Sequence, residues 1–152
     1  METKAPSESR TIKTEIVCPN DTNPMGMLQG GRLVEWMDIA AAICGQVHTC
    51  KICVTVSMNN IIFLKAAKIG DIVTINASIT KVFNTSMEIF VEAYAREVSN
   101  PKKSLIGRAY FIFVALDENG KSTPVIDVCP TNESEQKLYA GALIRKQMSR
   151  NS

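Results

Sequence analysis

One carboxylate in this chain stands almost alone among apolar and small residues. Asp38 lies in residues 21–45, DTNPMGMLQGGRLVEWMDIAAAICG, where the only other charges after the opening aspartate are Arg32 and Glu35. A carboxylate on a buried helix can take a proton from water as a general base, or attack an electrophilic carbon directly. Ahead of it, Asn23, Pro24 and Gly26 make a turn-rich loop. The pair Gly30-Gly31 follows where the helix begins. Without a β-carbon, such a pair lets a carbonyl oxygen approach backbone N–H groups at the positive end of a helix. Each feature also has a structural reading. Asp38 can be a helix-dipole or interface residue, the glycines can serve close helix–sheet packing, and Asn23 can be an ordinary turn asparagine. Glu35 lies three residues before Asp38 and roughly on its side, so a carboxylate pair is conceivable.

The remaining reactive residues carry less. Cys50 and Cys53 form a C-x-x-C with His48 and Cys44 nearby. It is a lone half-site where a helix hands over to a strand, whereas a redox pair belongs at a helix N-terminus that stabilises thiolate. Free buried thiols are the simpler reading. His48 is the single histidine, which excludes a zinc-protease motif, and there is no Gly-x-Ser-x-Gly elbow, Walker A loop or dinucleotide fingerprint.

The elements that must position these residues follow from periodicity. Residues 30–48 are apolar nearly all round, the mark of a buried core helix. At 100° per residue, Leu33, Trp36, Met37, Ala40, Ile43, Cys44 and Val47 share the side expected to face a sheet. Gly31, Asp38, Ala41, Ala42 and Gly45 share the other, expected to face outward. Residues 11–18 suggest a first strand, and residues 52–64 a long β-branched strand bulged at Asn59-Asn60. Residues 71–82 and 86–98 alternate as antiparallel strands about a hairpin at Asn84-Thr85, and residues 104–116 read as a covered central strand. A final helix is expected over residues 133–148, with Asn132 and Glu135 as its capping box. Residues 1–10 are polar and expected to be a disordered arm, residues 11–130 the domain, and residues 131–152 a C-terminal helix and tail. The fold class is α+β, a curved antiparallel sheet wrapped around one long helix. A homodimer would cover the outward stripe.

The 152 residues suit one domain of ordinary globular composition. A net charge of +2 without a basic stripe argues against nucleic acid as a partner. No signal peptide or transmembrane run is visible, so no membrane insertion is expected. Five unevenly spaced cysteines read as reduced thiols, and the expected location is cytoplasmic.

The pattern N-x-x-G-x-x-x-G-G-x(6)-D, from Asn23 through Gly26, Gly30 and Gly31 to Asp38, resembles that of hotdog-fold acyl-CoA thioesterases, most of all the YciA and brain acyl-CoA hydrolase branch. Three further segments match in order: Val54-Thr55-Val56, Phe63-Leu64-Lys65 through Gly70-Asp71, and Thr85-Ser86. The resemblance as a whole covers roughly residues 16–113. The resemblance implies a hotdog fold, paired through a continuous sheet into a homodimer and often assembled as a trimer of dimers, a hexamer. It implies hydrolysis of fatty acyl-CoA to free acid and CoA without metal or other cofactor. The catalytic residues it implies are Asn23 of one subunit and Asp38 of its partner. Substrate and CoA contacts would come from Gly30, Gly31, Thr55, Phe63, Thr85 and Ser86. Basic residues would meet the CoA phosphates, with Lys65, Lys68, Lys81, Arg96, Lys102 and Lys103 all eligible. The chain departs from the family pattern at Gln29, Asn59 and Ala66; the first two bear on acyl-chain preference. Two rivals share the fold: a dehydratase, which would want a histidine near the Gly30-Gly31 end, and a non-catalytic acyl-CoA or nucleotide-binding module, which has no need of Asp38.

Overall fold

The computed structural model describes residues 2–150; Met1 and residues 151–152, at the ends of the expected arm and tail, lie outside that range. In chain order the elements are β1 (Thr3–Lys4), β2 (Thr11–Ile16), α1 (Gly30–Thr49), β3 (Ile52–Phe63), β4 (Ile72–Val82), β5 (Ser86–Arg96), β6 (Ser104–Leu116), β7 (Asp127–Val128) and α2 (Glu133–Arg150). Strands β2 to β6 make one antiparallel sheet in the order β2-β4-β5-β6-β3. The sheet curls around α1, which touches all five of its strands. The alternation read along β4 and β5 is the burial pattern found. Val73, Ile75, Ala77 and Ile79 bury against α1 with Met87, Ile89, Val91 and Ala93, because consecutive side chains of a strand point to opposite faces.

Helix α1 ends at Cys50, held in the left-handed region at φ 56° with its N–H bonded to the Gln46 carbonyl. Its buried face differs from the one expected. Leu33, Trp36, Met37, Ala40 and Cys44 do bury, but Ala41 and Gly45 bury with them, while Ile43 and Val47 are exposed. A sheet that wraps the helix reaches past one side of it, and the small residues let it close in. A β-carbon at Gly45 would sit 3.0 Å from Met87 Cε. The outward side therefore carries Ile39, Ile43 and Val47, with Gly31 exposed as expected, while Ala41 and Gly45 do not belong to it.

The bulge expected in β3 lies between Asn59 and Ile62, with Asn60 at φ 52°. Across from it Gly107 fits closely, since a β-carbon there would stand 3.2 Å from the Ile62 carbonyl oxygen. Strand β3 is an edge of the sheet, and Val54, Val56 and Met58 on it are exposed. A long apolar edge strand offers unpaired backbone groups to another strand.

Residues 2–10, expected to be disordered, are ordered. Strand β1 pairs in parallel with β7, Lys4 Nζ donates to the His48 carbonyl at 3.0 Å, and Pro6 and Ser9 are buried. Polar composition concealed this because the arm is held by main-chain bonds and by closing the C-terminal end of α1. His48 lies fully buried beneath it, Nε2 2.7 Å from the Ile126 carbonyl oxygen.

Helix α2 lies on the outer face of the sheet. Asn132 caps it through Oδ1, which accepts from the Glu135 N–H, and Glu135 reaches back to the Thr131 N–H. Deeper along α2, Arg145 forms a two-pronged pair with Glu88 at 2.7 and 3.0 Å. Gly141 makes room for it, because a β-carbon there would come 2.5 Å from the guanidinium.

Candidate active site

The sequence-derived residues fall into two groups on one chain. The first centres on Asp38, half-buried on the side of α1 towards β3. Thr55, expected from the resemblance to meet substrate, donates its hydroxyl to Asp38 Oδ1 at 2.7 Å. This is the short geometry of an O–H donor on a carboxylate. It fixes the orientation of the carboxylate and leaves Oδ2 with no partner among the described residues. Nothing in the sequence links these two residues. They meet because β3 returns alongside α1.

The second group gathers around the start of α1. The Asn23 carboxamide oxygen accepts from the N–H groups of Met25 (2.9 Å) and Met27 (3.2 Å), and the Asn23 N–H donates to the Met27 carbonyl. Two backbone donors on one oxygen settle which end of the amide is which. The Nδ2 donor therefore points away from the turn. Gly26 closes the loop at φ 76°. Gln29 precedes the helix without capping it, its side chain donating to the Thr22 carbonyl instead. The first N–H groups of α1 thus keep their donor capacity. Phe63 lies against Gly30, whose β-carbon would stand 3.3 Å from the ring, while the space around Gly31 is open. A cavity of about 390 Å³ runs from Gly30 past Leu28, Leu33, Phe63 and Ile106 to Lys65. Along α1, Gly30 and Asp38 are separated by roughly 12 Å at 1.5 Å per residue.

The other expected residues lie apart. Thr85 and Ser86 stand at the β4–β5 hairpin; the Thr85 carbonyl accepts from Ala115 N–H, and Ser86 opens onto a 250 Å³ groove of the outer face under α2. Glu35 is ion-paired with Arg32 at 3.2 Å, and Arg32 also meets Asp21 at 3.2 Å. His48 is at the far end of α1 with its Nδ1 buried and unpartnered. Burial holds it below its ordinary pKa of 6.5, so it is an uncharged structural residue. Cys44 is also buried, its thiol pushed up to about 11. All five cysteines are free, and no group of three or more metal-ligating side chains occurs among the described residues. Nor is any described helix long and apolar enough to cross a membrane.

A glycine-bordered cavity thus lies at an uncapped helix start, with an oriented carboxylate farther along the same helix. The model of the thioesterase superfamily matches residues 25–101, half of the chain, including Gly26, the glycine pair and Asp38. The chain belongs to the thioesterase superfamily. Within it, this chain is 36% identical over 150 residues to the uncharacterized acyl-CoA thioester hydrolase YkhA of Bacillus subtilis, covering 99% of this chain and 87% of that one. Its fold is that of an apo-hexameric acyl-CoA thioesterase at TM-score 0.96 and 32% identity, covering 99% and 97% of the two chains. An acyl-CoA hydrolase of Staphylococcus aureus superposes at TM-score 0.93 and 35% identity over 99% and 92%, in complex with butyryl coenzyme A, coenzyme A and coenzyme A disulfide. That enzyme has also been solved with an aspartate, an asparagine or a threonine replaced by alanine.

Proposed function

We propose that this acyl-CoA thioester hydrolase works at a site shared between two copies, Asp38 coming from one and Asn23 with the Gly30-Gly31 helix start from the other. The observation that carries this is the Asp38–Thr55 pair, a carboxylate fixed at one oxygen and free at the other. Its separation along α1 from the Asn23 loop supports completion by a partner. So does the exposed apolar surface of β3 and of Ile39, Ile43 and Val47 beside it. The three residues replaced in the S. aureus enzyme stand at the same spacing along its chain as Asn23, Asp38 and Thr55 do here.

In this reading Asp38 takes a proton from water as the water oxygen attacks the thioester carbonyl carbon. The oxyanion is held by the N–H groups at the start of the partner's α1, with the Asn23 amide donating to it. Collapse breaks the C–S bond, the CoA sulfur takes the proton back from Asp38, and the free acid leaves. No step calls for a cofactor. A pairing of β3 edges would give the homodimer, and a trimer of such dimers the hexamer its relatives form. Five free cysteines suit a cytoplasmic location.

The test follows CoA release across acyl-CoAs from short to long chain, for wild type and Asp38→Asn. The variant should fold and bind CoA but turn over about 10²–10⁴-fold more slowly, the contribution of a positioned general base. Undiminished turnover in the variant would remove Asp38 from the mechanism. CoA binding without turnover in the wild type would mark a binding module.

A further inference from the structure

The loop that carries Asn23 is closed by main-chain bonds on itself and against the segment after β3. The Gln29 N–H donates to the Asp21 carbonyl at 2.9 Å, the Asn23 N–H to the Met27 carbonyl at 2.8 Å, and the Leu28 N–H to the Ala67 carbonyl at 2.8 Å. None of these bonds reaches α1 itself. Among the described residues, the polar link from residues 21–28 to the helix is one ion pair, Asp21 Oδ1 to Arg32 Nε at 3.2 Å. Asp21 is firmly seated at its end. Its other carboxylate oxygen accepts from the Cys18 N–H at 2.9 Å, its own N–H donates to the Cys18 carbonyl at 2.9 Å, and its side chain is only 13% exposed.

The helix alone gives no reason for Arg32. It is the third residue of α1, where the helix dipole is positive and disfavours a cation, and no acidic residue stands in the first turn to offset it. Its guanidinium bridges two carboxylates, Asp21 and Glu35. The Glu35 arm is an i,i+3 contact on an open surface, of a kind that adds little. The Asp21 arm ties helix to loop. What lies between the two ends of that tie gives it a use. The Asn23 carboxamide oxygen is held by the Met25 and Met27 N–H groups, so its Nδ2 direction is set by the loop as a unit. Gly30 and Gly31 immediately precede Arg32. A pivot of the loop against the helix would move the Nδ2 donor relative to the first N–H groups of α1. Donors that serve one oxyanion must converge on it before the reaction.

We propose, resting on the shared-site hydrolase reading above, that Asp21 and Arg32 are positioning residues. Their ion pair fixes the Asn23 loop to the start of α1, so that the Asn23 amide and the helix N–H groups meet at the thioester oxygen. Neither side chain touches the substrate.

The test compares wild type, Arg32→Gln, Asp21→Asn, the double variant and Arg32→Lys on the full chain, with butyryl-CoA as substrate. Asp21→Asn keeps an oxygen for the Cys18 N–H and removes only the charge. Lys13→Gln, which breaks an ion pair on β2, is the control and should behave as wild type. Arg32→Gln and Asp21→Asn should each lower kcat about tenfold, within the roughly hundredfold that a displacement of about 1 Å can cost. KM and the urea midpoint should barely move. The double variant should lose no more than either single, and Arg32→Lys should recover most of the activity. The residual turnover of Asn23→Ala, read at high enzyme concentration, should fall no further when Arg32→Gln is added. Independently of turnover, hydrogen exchange at the Met25 and Met27 amides should quicken in Arg32→Gln.

Wild-type kcat in Arg32→Gln would overturn the proposal, as would exchange at Met25 and Met27 that does not change. So would a kcat loss that persists undiminished in the Asn23→Ala background, or one that follows a fallen urea midpoint. A wild type that hydrolyses no thioester, while Arg32→Gln still quickens exchange in the loop, would leave the tie assigned and overturn the hydrolase reading alone.

Discussion

Removing the Thr55 hydroxyl tests whether the geometry around Asp38 is part of the catalyst. Thr55→Val keeps the shape of the side chain and deletes only the donor that meets Asp38 Oδ1 at 2.7 Å. A hydrogen bond to a charged group contributes about 1.5–3 kcal/mol. At about 1.4 kcal/mol per factor of ten, a carboxylate freed to turn away from the substrate should lose about tenfold to hundredfold in kcat. KM should change little, since in this account Thr55 touches Asp38 and not the substrate. The assay is steady-state CoA release from butyryl-CoA for wild type, Thr55→Val, Thr55→Ser, Asp38→Asn and the Thr55→Val/Asp38→Asn double variant. Thr55→Ser retains the donor and should recover most of the activity. In the Asp38→Asn background Thr55→Val should cost nothing further, because a residue acting through another is silent once that other is gone. Wild-type kcat in Thr55→Val, or two losses that multiply in the double variant, would refute the reasoning.

Two further predictions concern the scaffold. His48 is neutral in the fold and held below its ordinary 6.5 by burial, with Lys4 adding to the effect and Glu8 and Asp127 opposing it. Its contribution to stability should be complete above about pH 6.5 and be lost as pH falls below that value, because the unfolded chain binds the extra proton first. As the single histidine, its ring resonance reads this directly; a native titration midpoint at or above 6.5 would contradict it. Arg145→Met should destabilise the protein by about 3 kcal/mol in urea unfolding, because it strands the almost fully buried Glu88 carboxylate. Adding Glu88→Met should restore most of the loss, and a double variant as unstable as the single would show that the charges themselves were not the cause.

Much of the sheet was legible because its signal is local. Two-residue alternation along residues 72–96 fixes both faces of β4 and β5, and the Asn59-Asn60 break marks the bulge. What failed depended on contacts distant in sequence. The N-terminal arm has no periodicity of its own and is ordered by β7, more than a hundred residues away. The division of α1 into a large and a small face took size as the guide to burial, whereas a sheet curling around a helix buries Ala41 and Gly45 because they are small. At the site, the loop, the glycine pair and Asp38 were visible as types at a spacing. The Thr55–Asp38 bond was not, since it depends on how β3 returns along α1.

The most direct test of the shared site is complementation between two damaged copies. Asn23→Ala and Asp38→Ala chains carrying different tags are co-expressed, and mixed dimers are isolated through both tags. Each mixed dimer holds one site with both defects and one with neither, so turnover should return to about half the wild-type value. Each variant alone should stay inactive. Mixed dimers as inactive as either parent would place Asn23 and Asp38 in the same subunit's site and contradict the account.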